Sequence, residues 1–260
     1  MFKKAFITFA VLIGLIHPTY AAFESRPVSK SEEIRIQIEK NFGLKQALPK
    51  HELYRLAQIA ISEANPRHLG LRDRDIVPLS REVVDTAQCY GVDPVVFISL
   101  IWRESNFKPH AQSERGAAGL TQMTRVGIKE VLERLSPVSR RRLTQLRQQV
   151  KQCSFQFYRR IPSEISGDTL AAWKNSVMLS RRDALVMGAL LFKINLASSQ
   201  PETRRGGKLG LYEEALKRYN GDPLVKVEFA QAVLARAKRM MDFPKVASVD
   251  SRFLSRIEGL

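Results

Sequence analysis

Cysteine is scarce in this 260-residue chain, with Cys89 and Cys153 the sole pair, and only four histidines accompany them. No C-x-x-C is present, and His17, His51, His68 and His110 share no ligand spacing, so no metal site and no cofactor are expected. His110 reads as an exposed loop histidine. Two-residue alternation of β-branched side chains is almost missing, which argues against a sheet. Neither a dinucleotide fingerprint nor a phosphate loop occurs, which removes the usual nucleotide chemistries. Internal repeats and low-complexity tracts are absent as well, leaving a globular chain. Acidic residues are outnumbered 26 to 42 by Lys and Arg, and the resulting net charge of +16 calls for a polyanionic neighbour.

What is present begins with Lys3 and Lys4, an apolar run from Phe6 to Ile16, and Thr19-Tyr20-Ala21. The pattern reads as a secretory signal over residues 1–21 with a small-residue cleavage site, and it implies a periplasmic or extracellular protein. An uncleaved membrane anchor is the other reading, but the apolar run is shorter than the roughly 20 residues a span needs. With no cysteine at the cleavage point, lipid anchoring is not expected, and the cleaved protein would leave the membrane. The mature chain of about 240 residues can bury one substantial core with an extra layer. In an oxidising compartment Cys89 and Cys153 either pair or remain as two buried thiols.

Almost every periodic segment has helical spacing. Apolar residues three and four apart predict helices over Ser31–Lys40, Lys50–Ala64, Leu79–Tyr90, Gly127–Leu135, Asp183–Leu196, Leu209–Tyr219 and Pro223–Met241. Asp93-Pro94 supplies an N-cap and a first-turn proline for a short helix from Val95 to Glu104, and Pro109 is expected to end it.

Glu104 is the candidate catalytic residue. Phe97, Leu100 and Ile101 precede it by seven, four and three residues and so share its helix face. A carboxylate on an apolar stripe loses solvation, its pKa rises, and it becomes a proton donor near neutral pH. An isolated glutamate at a helix end is more often an ordinary surface carboxylate. What distinguishes this one is the loop behind it. Gly116 and Gly119 permit tight turns or close approach there, and Ser113 and Gln122 bring neutral hydrogen-bonding groups suited to an uncharged, hydroxyl-rich ligand.

The segment Glu104–Gln122, of the form E-S-x-F-x-P-x-A-x-S-x-x-G-A-x-G-L-x-Q, resembles the catalytic core of the lytic transglycosylase family related to goose-type lysozymes. Gly91-Val92-Asp93-Pro94 is similar to that family's lead into the catalytic helix, and Ala215-Leu216-Lys217-Arg218-Tyr219-Asn220-Gly221 resembles its later A-L-x-x-Y-N-G element. Between them the likeness thins. In Asp183–Phe192, Ala184 stands where Asn is usual and Leu191 where Tyr is usual, while Gly188 fits and equally suits close helix packing. Thr124-Arg125 replaces the commoner x-Pro.

The resemblance implies an all-α, lysozyme-like catalytic domain acting on peptidoglycan glycan strands. It would span residues 79–241, preceded by a helical N-terminal extension over 22–78, carrying a helical basic insertion at 136–180 and followed by a tail over 242–260. It further implies cleavage between N-acetylmuramic acid and N-acetylglucosamine with formation of a 1,6-anhydro ring, Glu104 acting as acid and then as base. Ser113, Gln122, Tyr219 and Asn220 match the family's substrate-binding positions, with the Tyr219 hydroxyl near the acid; Tyr219 also suits a core tyrosine at a helix end. Thr121 and Met123 would line the groove. No second carboxylate stands at a family position, whereas ordinary glycosidases use two.

Two other functions use the same residues. A muramidase would employ Glu104 with a water that Asp222 orients, and a wall-binding component of an envelope-spanning machine would retain the fold to dock on glycan. From Arg134 to Arg160 there are eight basic residues (Arg134, Arg140, Arg141, Arg142, Arg147, Lys151, Arg159, Arg160) and no acidic one. This stretch is either a solvated helix face or a surface for an anionic wall polymer or an acidic protein. Nucleic acid is not an expected partner, since no recognition motif accompanies the charge.

Overall fold

The computed structural model describes residues 48–64, 72–199 and 207–241. The expected signal at 1–21, the helix at Ser31–Lys40 and the tail at 242–260 lie outside the described residues. Within them the chain is all-α: α1 (Lys50–Ala64), α2 (Asp73–Tyr90), α3 (Pro94–Ser105), α4 (Arg125–Leu135), α5 (Thr144–Cys153), α6 (Phe155–Arg159), α7 (Gly167–Leu179), α8 (Arg181–Ser198), α9 (Gly207–Asn220) and α10 (Lys226–Met240). No described helix is long and apolar enough to cross a membrane.

Two of these helices are buried nearly all round and organise the rest. In α3 every residue from Val95 to Ile101 is buried, and α1, α2 and α10 pack around it. In α8 the buried run from Asp183 to Phe192 is covered by α2, α4, α7 and α9. A helix apolar on all faces has to be central, whereas α1, with Leu53, Leu56, Ala57, Ala60 and Ile61 on one stripe, is a surface helix laid on the core.

Helix boundaries follow local chemistry. Asp93 caps α3 by accepting from Val96 N–H at 3.0 Å, as the Asp-Pro pair predicted. α2 begins at Asp73 rather than at Leu79 and carries Pro78 inside it. A proline's fixed φ suits a helix, so Pro78 forfeits a backbone bond without forcing a break, and Asp73 and Asp75 complement the dipole in the first turn. Pro109 does not end α3. The helix stops at Ser105 because Asn106 turns left-handed (φ 49°) and donates its N–H to Trp102 O at 3.0 Å.

Residues 136–180 form α5, α6 and α7, and Leu146, Val150, Phe157, Leu170, Trp173 and Val177 join the common core. Cys89 and Cys153 are disulfide-bonded, with Cα atoms 5.9 Å apart, which ties the end of α2 to the end of α5. Beside the bridge, Lys193 of α8 donates to Tyr90 O at 2.8 Å, and burial pushes its pKa down. The basic run is less open than its sequence suggests, because carboxylates outside it reach in. Arg141 pairs with Glu130 (2.8 Å) and Glu133 (2.6 Å), Arg134 with Glu130 (2.8 Å), and Arg160 with Asp183 (2.5 Å). Arg147 donates to Leu135 O at 3.0 Å and stacks over Tyr158.

Candidate active site

The last turn of α3 carries Glu104 on the stripe formed by Phe97, Leu100 and Ile101, all three completely buried. Glu104 itself keeps some contact with solvent. Burial pushes its carboxyl up to about 8, against a smaller downward pull from the neighbouring Arg103 charge. The group is therefore reachable, yet protonated at neutral pH. That combination is what a general acid requires.

Immediately afterwards the chain reverses. Asn106 and Phe107 both have positive φ, and Phe107 is fully buried, so its ring anchors the turn. The following loop folds on itself through the pair Ala118 N–H to Met123 O (3.1 Å) and Met123 N–H to Ala118 O (2.8 Å), with Gly119 N–H donating to Ala111 O (2.8 Å). Gly119 needs to be glycine twice over: its φ is 75°, and an added Cβ would lie 2.6 Å from Val177 O of α7. His110, exposed as expected, places Nδ1 at 2.8 Å from Met178 O and so joins the loop to α7.

Ser113 and Gln122 are built into this loop. The Ser113 hydroxyl accepts from Ala117 N–H at 3.0 Å, closing the turn that contains Gly116. Gln122, itself at φ 45°, donates through Nε2 to Ala111 O (3.0 Å) and Gly119 O (2.9 Å), while no described residue donates to its Oε1. Its amide is thus locked in place with an acceptor to spare, and the serine's oxygen already serves the turn.

Thr121, which the sequence placed as mere lining, is held from two sides. Its hydroxyl donates to Ala184 O of α8 at 2.8 Å, and its carbonyl accepts from the Tyr219 hydroxyl at 2.8 Å. Room for it comes from Gly188, where a Cβ would sit 2.5 Å from Thr121 Cβ. Gly188 is therefore a clearance for the loop that carries Thr121, not a helix-to-helix contact. Ala184, which departs from the family pattern, contributes its backbone carbonyl, a group that any residue there would offer.

Tyr219 lies close to Glu104: burial raises the tyrosine's pKa well above its ordinary value, and the Glu104 charge raises it further. Its hydroxyl proton, however, is directed at the Thr121 carbonyl. Asn220 ends α9 and uses Oδ1 to accept from Asp222 N–H at 3.2 Å across Gly221 (φ 72°). Asp222 pairs with Arg115 of the loop, linking the loop to the α9–α10 turn, and accepts from Leu224 N–H at 3.0 Å. The Leu224 N–H and, secondarily, Arg115 hold the Asp222 carboxyl below its ordinary range.

Glu104, Tyr219 and the Thr121–Met123 segment are thus brought together, while the side-chain oxygens of Ser113 and Asn220 are engaged in turns. Arg115 is an addition that motif reading did not supply, and Thr121, expected only to line the groove, is held by Ala184 and Tyr219. The glycine at 188 was the available signal for Thr121, and Arg115 had none. Among the described residues no cluster of His, Cys, Asp and Glu is arranged to hold a metal. Residues 83–154 match the family model described as Transglycosylase SLT domain. No curated protein and no solved structure matches the chain.

Proposed function

Starting from a chain that carries a transglycosylase SLT domain, a module that acts on peptidoglycan, we propose that it is a lytic transglycosylase cleaving between N-acetylmuramic acid and N-acetylglucosamine. The observation that carries the proposal is the desolvated Glu104, with its carboxyl pushed up to about 8 at the mouth of a polar loop. Glu104 protonates the glycosidic oxygen as the bond breaks. The resulting carboxylate then takes the proton of the muramoyl C6 hydroxyl, whose oxygen closes the 1,6-anhydro ring, and the acid is restored without water. Gln122 Oε1 is the free acceptor for a sugar hydroxyl or amide, and the Tyr219 hydroxyl holds the Thr121 carbonyl of the same loop. The engagement of Asp222 by Arg115 and Leu224 supports this route over hydrolysis, because the carboxylate a muramidase would use to orient water already has partners.

The disulfide supports export to an oxidising compartment, periplasmic or extracellular. N-terminal sequencing of the secreted protein tests this: a start at Ala22 is expected, and retention of Met1 would contradict it. Arg140, Arg142, Lys151 and Arg159, which have no ion-pair partner among the described residues, favour attraction to an anionic wall polymer or acidic protein. Binding to intact sacculi should then weaken with added salt, and salt-independent binding would remove that role.

Glu104→Gln tests the catalytic assignment. The amide keeps size and hydrogen bonding but has no proton to deliver, so turnover should fall by about 10²–10⁴ with the fold and glycan binding retained. Wild-type turnover by the folded variant would refute it.

A further inference from the structure

The basic insertion reaches the motif loop through one face of α7. Lys174, Val177 and Met178 share that face, being three and four residues apart, and each meets the loop. Met178 offers its carbonyl to His110, the Val177 carbonyl closes on Gly119, and the Lys174 ammonium lies 3.2 Å from where a Cβ on Gly116 would stand. The helix is firmly seated behind this face. Trp173 is buried against Phe157 with ring centroids 4.7 Å apart, and Ser176 donates to Asp183 of α8. Lys174 is thereby delivered to the turn that Ser113 closes, since Gly116 N–H donates to Ser113 O at 2.9 Å and Ala117 N–H donates to the Ser113 hydroxyl. The half-buried lysine has no hydrogen-bond or ion-pair partner among the described residues, and Glu114 of the same turn is exposed and does not pair with it. An unpaired lysine ordinarily sends its ammonium out to water; this one lies over the loop.

We propose that Lys174 is a sugar-contacting residue through which the insertion supplies one wall of the glycan cleft, its ammonium donating to the neutral oxygen acceptors of the saccharide held by the Ser113–Gln122 loop. The inference rests on the glycan-binding reading of that loop. An ammonium has three donors and no acceptor, whereas Gln122 presents Oε1 as a spare acceptor. Together they complement a ligand whose hydroxyls donate and whose acetamido carbonyls accept. The exposed Arg140, Arg142, Lys151 and Arg159 stand on or before α5 and α6, not on this face of α7, so attraction of polyanions and contact with sugar belong to different parts of the insertion. A cation at the loop also carries a selectivity. A saccharide whose acetamido groups have become free amines loses the acceptor and brings a like charge.

The test uses the full mature protein in its Glu104→Gln form, so that binding is read without turnover. Titration calorimetry compares chitohexaose, a neutral saccharide with no carboxylate, with its de-N-acetylated form below the pKa of the amines. Adding Lys174→Met is expected to weaken chitohexaose binding about tenfold, the loss of one charge-assisted contact, and to leave the amine form bound no more weakly. Lys174→Arg should restore most of the loss, and Lys174→Glu should bind the amine form better than the parent does. A lysine that merely props the turn would lower affinity for both saccharides alike. That result overturns the proposal, as does unchanged chitohexaose binding by Lys174→Met or a parent that binds no chitohexaose. Lys174-dependent binding of chitohexaose by a protein whose wild-type form releases no soluble product from peptidoglycan would keep the contact and reject the transglycosylase.

Discussion

Burying Glu104 has a thermodynamic consequence that a denaturation experiment can read. The carboxyl rises from 4.5 to about 8 on folding, and at about 1.4 kcal/mol per pH unit this amounts to on the order of 3–5 kcal/mol of penalty on the ionised native state. Below the lower value both native and unfolded chains hold the proton, and the penalty is zero. Between the two values the unfolded chain has released the proton and the native one has not, so stability falls as pH rises. Above the upper value the full penalty stands. Glu104→Gln removes the titrating group and leaves a side chain of the same size. Urea denaturation of wild type and variant, run from about pH 4 to about pH 9, should therefore show a stability difference that grows toward alkaline pH in favour of the variant. Wild-type turnover should decline over the alkaline end of the same range as the acid form is lost. Parallel stability profiles for the two proteins would mean that Glu104 is not desolvated, and the argument for its role as a proton donor would lose its basis.

Tyr219→Phe removes the donor to Thr121 O, leaving a buried carbonyl without that partner, and should cost about 1–3 kcal/mol together with a lower kcat; an unchanged melting point and rate would dismiss the bond. Gly188→Ala drives a methyl against Thr121, and overpacking of this kind costs about 1–3 kcal/mol. Its turnover should fall further than that of a control of equal stability loss in α1, such as Leu53→Ala, and equal falls would place Gly188 in packing alone. Replacing Cys89 and Cys153 by serine should lower stability by about 4 kcal/mol, the chain-entropy value for a loop of this length. Thiol titration of the unreduced, denatured protein should find none free, and two reactive thiols per chain would contradict the bridge.

Much of the fold was legible because periodicity reports helices well. The span Lys50–Ala64 coincides with α1, and the Asp93-Pro94 pair marked the start of α3 correctly. Where the reading failed, a local rule met a competing one. Pro109 is not what ends α3, since Asn106 takes the left-handed turn first, and apolar spacing started α2 at Leu79 instead of Asp73, missing the polar first turns that run through Pro78. Glu104 was legible because its desolvation follows from neighbours at helical spacing. The partners of Thr121 were not, because Ala184, Gly188 and Tyr219 are far away in sequence and meet it only through packing. The partial pairing of the basic run was not legible for the same reason: Glu130, Glu133 and Asp183, which absorb part of its charge, stand outside it.

The most direct test of the account is mass spectrometry of the soluble products that the purified mature protein releases from peptidoglycan. A single desolvated acid that returns its proton through the muramoyl C6 hydroxyl gives fragments ending in 1,6-anhydro-N-acetylmuramic acid, each lighter by one water than a reducing end, and Glu104→Gln gives none. Products with reducing termini alone would mean that water is the nucleophile, and the transglycosylase mechanism would be wrong.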